Sequence, residues 1–232
     1  MTVTQLCAKQ GYAITPQQQQ LFDVYTDFLL AENEKYNLTA VRERDGVVGR
    51  HLFDSLAPLF LGELGSESLD VIDVGTGGGL PGIPLSIAAS HHQYTLLDST
   101  EKKCAFLRAF LAQVDLPVTV TWGRAEEWGA EAYRERFDLA VSRAVAALPA
   151  LCELVLPMVK VGGRFIAYKG EKGKEELAQA QSAIAVLGGK IQKIVEAPTS
   201  DDSPACLIII EKIQPTPLKY PRAWGQIKKK PL

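Results

Sequence analysis

The N-terminal part of the chain has the apolar pattern of amphipathic helices. Thr15-Pro16 is a helix start, because threonine caps a helix and proline fits its first turn. Val24 and Phe28 then recur on one helical face. A second amphipathic helix is predicted from about residue 47 to residue 61. The first 61 residues are therefore expected to be helical, without strands.

From Leu69 onward, short β-branched runs alternate with helical segments, which predicts a parallel sheet covered by helices. Strands are predicted near residues 69–74, 94–98, 117–121, 137–142, 163–168, 190–196 and 205–213. Helices are predicted near residues 83–90, 100–113, 125–134, 147–159 and 171–187. The loop between the last two strands is too short for a parallel crossover, so these strands should pair antiparallel. The predicted fold class is an α/β, Rossmann-like sheet of seven strands, mostly parallel with an antiparallel last strand.

A glycine-rich turn follows the first of these strands and is the centre of the predicted site. The apolar run ends at Val74, and Gly75-Thr76-Gly77-Gly78-Gly79 leads into a helix. Glycines tolerate positive φ and let a ligand approach closely, which is the geometry of a nucleotide cradle. Gly77-x-Gly79-x-x-Gly82 fits the dinucleotide fingerprint, but its first glycine comes late after the strand. A dinucleotide site and a purely structural turn are the alternatives.

The other register of this turn, Asp73-x-Gly75-x-Gly77-x-Gly79, adds a carboxylate at the strand end. That carboxylate would repel a pyrophosphate, whereas it suits a ligand that carries a positive charge and no phosphate. S-adenosylmethionine is such a ligand. We therefore expect S-adenosyl-L-methionine as the cofactor, with Gly75 and Gly77 at the turn among its contacts.

Polar residues follow the next strands at the edge where ligands bind in open α/β sheets. Asp98-Ser99-Thr100 ends the second strand, where an acid can accept hydrogen bonds from ribose hydroxyls or simply cap a helix. Gly123-Arg124-Ala125-Glu126 follows the third strand, beside an adenine ring or as an ordinary helix start. Arg143 ends the fourth strand, facing substrate or forming a surface salt bridge. Lys169 ends the fifth, holding an RNA phosphate or remaining a surface lysine.

Two other sets of residues carry no catalytic prediction. His51, Asp54 and Ser55 share one short helical stretch, so no separate elements converge on a nucleophile as a triad requires. His91-His92 has no partner at metal-ligand spacing, and the four cysteines form no CxxC pair. The sequence therefore predicts neither a bound metal nor disulfides.

The composition bounds the class of protein. At 232 residues, 47% hydrophobic and 22% charged, the chain is an ordinary globular protein. Its formal net charge of −2 does not indicate nucleic-acid binding by the chain as a whole. No signal peptide and no apolar run of membrane-spanning length is present, so we expect a cytoplasmic protein without membrane contact. The predicted divisions are a helical extension at 1–65, a cofactor-binding core at 66–214 and a basic tail at 215–232.

These motifs together resemble the bacterial 16S ribosomal RNA guanine-N7 methyltransferases, also called glucose-inhibited division protein B. The resemblance covers nearly the whole chain. Its specific parts are His51-Leu52-Phe53-Asp54-Ser55 and Leu80-Pro81-Gly82-Ile83-Pro84. Further matching segments are Tyr36-Asn37-Leu38-Thr39, Leu97-Asp98-Ser99, Arg124-Ala125-Glu126, Ser142-Arg143-Ala144, Lys169-Gly170 and Tyr220-Pro221-Arg222. Five strand–helix units closed by an antiparallel hairpin are likewise the strand inventory of class I methyltransferases.

The resemblance implies a cofactor pocket, a target guanine in 16S rRNA or the small ribosomal subunit, and a cytoplasmic location. The implied pocket residues are Gly75, Leu80, Asp98, Ser99, Thr100, Ala125, Glu126 and Arg143. On charge grounds we add RNA-binding candidates, namely Lys169, Arg222, Lys228, Lys229 and Lys230. We expect a monomer. The alternatives are a small-molecule methyltransferase, a nicotinamide-dependent oxidoreductase and a non-catalytic ribosome-assembly factor.

No catalytic residue is predicted, and the implied chemistry explains why. Guanine N7 has an in-plane lone pair and carries no proton, so its attack on a sulfonium methyl needs no general base. Holding nucleophile, methyl and sulfur in line, with water kept out, is then the main source of rate. A target base in structured RNA must also be exposed or flipped out.

Overall fold

The computed structural model describes the whole chain, residues 1–232, around one seven-stranded sheet. Its strands are β1 (Asp70–Val74), β2 (Gln93–Asp98), β3 (Val118–Trp122), β4 (Phe137–Arg143), β5 (Val159–Gly170), β6 (Gly189–Glu196) and β7 (Ala205–Lys212). The spatial order is β3-β2-β1-β4-β5-β7-β6, and β7 runs antiparallel to both of its neighbours. The predicted fold class is therefore confirmed, including the antiparallel hairpin at the end of the chain.

The helices connect and cover the strands. They are α1 (Val3–Lys9), α2 (Pro16–Tyr36), α3 (Arg44–Gly46), α4 (Ala57–Phe60), α5 (Gly82–Ala88), α6 (Glu101–Leu111), α7 (Ala125–Ala130), α8 (Leu148–Val155), α9 (Gly173–Val186) and α10 (Trp224–Lys229). No helix is both long and apolar enough to cross a membrane. The helix predicted up to residue 159 ends earlier, because Pro157 lies in a 3₁₀ turn and β5 already begins at Val159.

Strand β1 lies at the switch point of the sheet, between β2 and β4. Its residues Val71, Ile72 and Val74 are buried, as expected for a central parallel strand with helices on both faces. From β1 the chain first builds outward to β2 and β3, and it then returns to place β4 on the other side. This reversal opens a crevice beyond the carboxyl ends of β1 and β4, where ligands bind in such sheets.

The first predicted helix is confirmed, and the second is wrong as a single helix. Thr15 caps α2 through a capping box with Gln18, and Pro16 is its first residue. The stretch predicted at 47–61 is instead a π-helix at Val47–Phe53, followed by the short α4. Pro58 lies in the first turn of α4 and cannot continue a preceding helix, which explains the break. A π-helical turn of this kind frequently occurs at functional sites.

Each face of the sheet has its own hydrophobic core. On one face, Phe22 and Leu29 of α2 pack in the same cluster as Val71 and Phe106. On the other face, α8 and α9 pack against β4, β5 and β7, and Ile227 of α10 joins this second cluster. The N-terminal helices and the C-terminal segment thus both contribute buried side chains to the cores that hold the sheet.

Candidate active site

The glycine turn after β1 has the conformation that its sequence predicts. Gly75, Gly77 and Gly79 have φ values of +74°, +60° and +100°, which side-chain-bearing residues rarely adopt. A Cβ atom at Gly75 would also lie only 2.4 Å from Cγ2 of Val145. Val145 follows β4, so glycine at this point lets the ends of two neighbouring strands approach each other.

Asp73 is buried beneath this turn and does not face the crevice. Its side chain has no solvent exposure, and its Oδ2 accepts hydrogen bonds from Thr76 Oγ1 at 2.7 Å and from the Gly82 amide at 2.9 Å. Its Oδ1 has no hydrogen-bond partner. Burial raises the pKa of this carboxyl to about 6, against the lowering effect of the two hydrogen bonds. Asp73 therefore shapes the turn and puts a titratable charge behind it, rather than contacting a ligand directly.

The backbone amides of the turn are already used within the protein. The Gly75 and Thr76 amides donate to the Leu97 carbonyl, and the Gly77 amide donates to Oδ2 of Asp98 at 2.8 Å. The amides of Gly79, Leu80 and Gly82 also have protein acceptors. Proline at 81 and 84 removes two further donors from the start of α5. A phosphate that approached this helix N-terminus would find few free N–H groups.

Asp98 ends β2 and reaches back to the glycine turn. Besides the Gly77 amide, its carboxylate accepts a hydrogen bond from the Thr100 amide, 2.8 Å from Oδ1. The residue is 6% exposed and lines a crevice beside the turn. Each carboxylate oxygen has two lone pairs, so each can accept one more hydrogen bond from a ligand hydroxyl.

A first cleft of about 170 Å³ lies between the ends of β1 and β2 and the start of α7. Its lining residues are Val74, Gly75, Leu97, Asp98, Ser99, Gly123, Arg124, Ala125, Glu126, Val145, Leu154 and Trp224. Five of the predicted cofactor residues, from three different strand ends, thus come together here. The lining combines apolar faces with the Asp98 carboxylate, which suits a nucleoside.

A second, larger cleft of about 710 Å³ opens beside the first one, beyond the ends of β4 and β5. Val145 lines both clefts, so the two are neighbours along the same sheet edge. The second cleft is lined by polar and charged residues from the π-helix, from the ends of β4 and β5 and from α9, namely Arg50, His51, Asp54, Arg143, Lys169 and Glu176. Ala197, Pro198 and Thr199 of the loop before β7 also line it.

Arg143 and His51 define the chemistry of the second cleft. Arg143 is half-buried, and its guanidinium donates to the Arg50 carbonyl at 3.2 Å without an ion-pair partner. His51 Nε2 lies 2.5 Å from Thr39 Oγ1. Burial, together with the positive charge of Arg143, lowers the pKa of His51 to about 4. His51 is therefore neutral at neutral pH, while Arg143 keeps a free cationic edge.

Asp54 and Ser55 do not form a triad with His51. The Ser55 hydroxyl donates to the backbone carbonyl of His51, and Asp54 Oδ1 accepts from the Ser200 amide at 2.9 Å. Burial raises the pKa of Asp54, against the lowering effect of Ser200 and Arg143. Asp54 lines the second cleft, and Ser200 contacts its carboxylate through both its backbone amide and its side chain. Neither the Ser55 hydroxyl nor the Asp54 carboxylate is hydrogen-bonded to the His51 ring.

Two of the predicted RNA-side cations have carboxylate partners within the fold. Lys169 Nζ donates to Glu176 at 2.8 Å and to the Ala146 carbonyl at 2.7 Å, and its side chain is only 9% exposed. Arg222 binds the fully buried Glu153 carboxylate through Nε at 2.8 Å and through a second guanidinium nitrogen at 2.6 Å. Lys228–Lys230 are exposed on the outer side of the C-terminal segment.

Of the other four predicted cofactor residues, Arg143 lines the second cleft, whereas Gly77, Leu80 and Thr100 line neither cleft. Leu80 packs against the first hydrophobic core, and Thr100 is the exposed N-cap of α6. Gly77 takes part through its hydrogen bond to Asp98. The sequence reasoning missed Val145, Leu154 and Trp224, because an apolar side chain with no motif around it gives no signal for a site.

Comparison with known proteins identifies the family. A family model described as rRNA small subunit methyltransferase G matches residues 18–203. The chain belongs to this family. "Ribosomal RNA small subunit methyltransferase G" of Alkaliphilus metalliredigens is 46% identical over 230 residues, which cover 97% of this chain and 95% of that protein. The protein of the same name from Brevibacillus brevis is 42% identical, over 98% of this chain and 97% of its own length.

The solved structures agree with the fold of this methyltransferase family. A branched-chain polyamine synthase mutein from Thermus thermophilus, crystallised in complex with 5'-methylthioadenosine, matches with a TM-score of 0.63 at 16% identity. The match covers 87% of this chain and 67% of that one. At this identity the likeness concerns the fold alone. No cluster of three or more His, Cys, Asp or Glu side chains is placed to hold a metal ion.

Proposed function

We propose that this protein transfers the methyl group of S-adenosylmethionine to N7 of a guanine in 16S ribosomal RNA. The observation that carries the proposal is the pair of neighbouring clefts that meet at Val145, in a chain of the rRNA small subunit methyltransferase G family. One cleft has the chemistry of a nucleoside site, and the other has room and charge for a base.

The residues of the first cleft fit the adenosine part of the cofactor. The Asp98 carboxylate, with a lone pair to spare on each oxygen, would accept hydrogen bonds from the ribose hydroxyls. Ala125 and Glu126, at the start of α7, line the same cleft and would flank the adenine ring. The methionine part would extend past Gly75 toward the second cleft.

The hydrogen bonds of the glycine turn argue against a dinucleotide. Six amides of the turn have protein acceptors, and the two prolines of the following helix offer no donor. Two carboxylates, Asp73 and Asp98, supply acceptors to those amides. A pyrophosphate here would meet negative charge and occupied donors, whereas a cationic ligand would meet favourable charge.

Arg143 and Asp54 would orient the target base in the second cleft. Arginine recognises guanine through O6 and N7. A guanidinium that donates to O6 alone would leave the N7 lone pair free to attack. The Asp54 carboxylate lines the same cleft and has lone pairs beyond those that Ser200 uses. It would accept from the N–H groups on the opposite, Watson–Crick edge, a pattern that guanine presents and adenine does not.

The cofactor supplies a methyl group on a positively charged sulfur, and guanine N7 can take it without losing a proton. The protein therefore needs to align the two and exclude water. His51, with its pKa lowered to about 4, stays neutral and adds no cation next to the incoming methyl. Methylation of N7 releases no proton, so neither His51 nor Asp54 needs to act as a base.

The RNA would approach from the side that carries Lys228–Lys230, because these lysines are exposed and have no carboxylate partner. The chain has a net charge of −2, so RNA binding depends on such local concentrations of positive charge. We place Lys169 and Arg222 in the fold rather than on the RNA, since both are paired with glutamates. A ribosomal substrate also implies that the protein acts in the cytoplasm.

The proposal is tested by incubating the protein with S-adenosylmethionine tritiated on its methyl group and either small ribosomal subunits or naked 16S rRNA. We expect label in RNA, at one guanine, in a form that strand-cleavage chemistry specific for 7-methylguanine detects. Small molecules extracted from a cell should remain unlabelled. Label in a small molecule but not in RNA would contradict the proposal, as would label on a guanine atom other than N7.

A further inference from the structure

Trp224, in the C-terminal helix α10, forms part of the wall of the first cleft. It lies there with Leu154 of α8 and with the loop that contains Gly123 and Arg124. The side chain is half-buried, so it packs on the protein and still presents surface to the cleft. The predicted basic tail thus contributes a residue to the proposed cofactor site, although it is distant in sequence from the other residues of that site.

The position of Trp224 is fixed from both sides along the chain. Two residues before it, Arg222 donates two hydrogen bonds from its side chain and one from its backbone amide to the buried Glu153 of α8. Three residues after it, Ile227 is fully buried in the second core. Residues three apart lie on the same face of a helix, so burying Ile227 directs Trp224 inward as well.

Arg124 further orients the indole ring. Its guanidinium carbon lies 5.8 Å from the centroid of the Trp224 ring, within the range of a cation–π contact. The same guanidinium donates from Nε to Glu126 at 2.8 Å. Arg124 and Glu126 are cleft residues themselves, so the ring is tied to the loop that we assign to the adenine end.

We infer that Trp224 stacks on the adenine ring of the bound cofactor and is a cofactor-binding residue contributed by the C-terminal segment. This inference rests on the proposed function and deepens it. A purine presents flat π-faces and polar edges, and an indole held at the wall of the cleft offers the matching face. Asp98 in the same cleft offers ribose acceptors, so the site as a whole matches a nucleoside rather than an isolated base. Stacking of a base on an aromatic side chain corresponds to about a tenfold or greater change in affinity.

The test measures the binding of S-adenosylhomocysteine and of adenosine to the full chain by calorimetry. The variants are Trp224→Ala, Trp224→Phe and, as a control on the same helix, Gln226→Ala, which changes an exposed side chain. We expect Trp224→Ala to weaken both ligands by about tenfold, because both contain adenine. Trp224→Phe should keep the affinity within about threefold and lose most of the ligand-induced change in tryptophan emission. Gln226→Ala should bind as the wild type does.

The outcomes separate this inference from the proposed function. If the wild-type chain binds neither ligand, the proposed function and the inference both fail. If the wild-type chain binds and Trp224→Ala binds with equal affinity, the inference alone is overturned. A Trp224→Phe chain with an unchanged melting temperature and the weak affinity of Trp224→Ala would also overturn it, because a phenyl ring still stacks. Unchanged ligand-induced emission in Trp224→Phe would place the ligand away from this residue.

Discussion

The hydroxyl of Tyr25 donates a hydrogen bond of 2.5 Å to the backbone carbonyl of Gly78. Tyr25 belongs to the N-terminal helix α2, and Gly78 lies in the glycine turn after β1. Both residues are buried. Asp73 holds the same turn from the side of the sheet. Asp98 and the Leu97 carbonyl hold it from β2. The N-terminal helix α2 therefore helps to fix the shape of the glycine turn.

Removing the Tyr25 hydroxyl should loosen this support. In Tyr25→Phe the buried Gly78 carbonyl loses its partner, and an unsatisfied buried group costs about 1–3 kcal/mol. We expect the free energy of unfolding, measured by urea denaturation, to fall by about 2 kcal/mol, and the affinity for S-adenosylhomocysteine to fall with it. Tyr12→Phe is the control, because the Tyr12 hydroxyl donates to the Ala88 carbonyl over a long 3.4 Å and should matter little. Equal stability losses in the two variants would contradict this role of Tyr25.

Gly75 should tolerate no side chain, and Gly62 provides a matched control. Both glycines have a positive φ, +74° and +70°, so the backbone strain of alanine is similar at the two positions. A Cβ at Gly75 would collide with Val145 between the two clefts, whereas a Cβ at Gly62 meets nothing within 4 Å. We expect Gly75→Ala to lose cofactor binding and methyl transfer, and Gly62→Ala to cost only about 1 kcal/mol of stability. A Gly75→Ala enzyme with wild-type methyl transfer would show that the closeness of these strand ends is not needed.

The buried carboxyl of Asp73 should make the choice between cofactor and product depend on pH. Its pKa is raised to about 6 by burial, so it is ionised above that pH and neutral below it. The ionised form favours the cationic S-adenosylmethionine over the uncharged sulfur of S-adenosylhomocysteine. We therefore expect the preference for S-adenosylmethionine, measured by calorimetry as a ratio of dissociation constants, to decrease as the pH falls through about 6.

Asp73→Asn is the control for this titration, because asparagine keeps an oxygen acceptor for Thr76 and Gly82 and carries no charge. Its ratio of dissociation constants should stay constant with pH, at the value that the wild type reaches in acid. A wild-type ratio that does not change across pH 6 would mean that Asp73 is electrostatically remote from the sulfur.

The features that could be predicted from the sequence are those whose signal is local. Apolar runs predict the strands, Thr15-Pro16 predicts the N-terminal cap of α2, and the glycines after Val74 predict the positive φ values of the turn. The residues at the strand ends were expected to meet because parallel strands end at one edge. Gly75, Asp98 and Glu126 do meet there, in one cleft.

The features that were missed depend on contacts between distant parts of the chain. Asp73 gives the same sequence signal whether its carboxylate faces a ligand or, as here, turns inward to Thr76 and Gly82. The sequence around Arg222 predicts a solvent-exposed cation. Its partner, the buried Glu153, is distant in the sequence, so only the structure reveals the ion pair. The π-helix and the position of Trp224 in the first cleft also depend on packing between distant segments, so no local sequence pattern predicts either.

Arg222 should contribute strongly to stability, in contrast to the exposed lysines that follow it. Removing its side chain in Arg222→Ala leaves the fully buried Glu153 carboxylate without its ion partner, and breaking a buried pair costs about 3–5 kcal/mol. We expect a loss near the lower limit, since Arg222 itself is partly exposed. Lys229→Ala, on the exposed side of α10, should change the free energy of unfolding by less than about 0.5 kcal/mol. The double variant Glu153→Gln with Arg222→Ala should recover part of the lost stability, because it leaves no unpaired buried charge. An Arg222→Ala chain as stable as the wild type would show that the Arg222–Glu153 ion pair does not stabilise the fold.

Salt should affect the RNA step and leave the cofactor step nearly unchanged. Each lysine–phosphate contact releases counterions, so the logarithm of RNA affinity falls with the logarithm of salt concentration by roughly one unit of slope per contact. Methyl transfer to rRNA at subsaturating RNA should therefore fall steeply as salt is added, while S-adenosylhomocysteine binding stays constant.

Replacing Lys228–Lys230 with alanine should flatten this salt dependence by up to about three units of slope, because three contacts would be lost. The matched control replaces three other exposed lysines, Lys9, Lys35 and Lys190, and makes the same change in net charge. If both triple variants lose the same slope, the chain attracts RNA through its overall charge, and the C-terminal lysines form no specific contact. If neither loses any, the RNA approaches another face. A loss confined to the variant at Lys228–Lys230 would place the RNA on the same C-terminal segment that carries Trp224 into the first cleft.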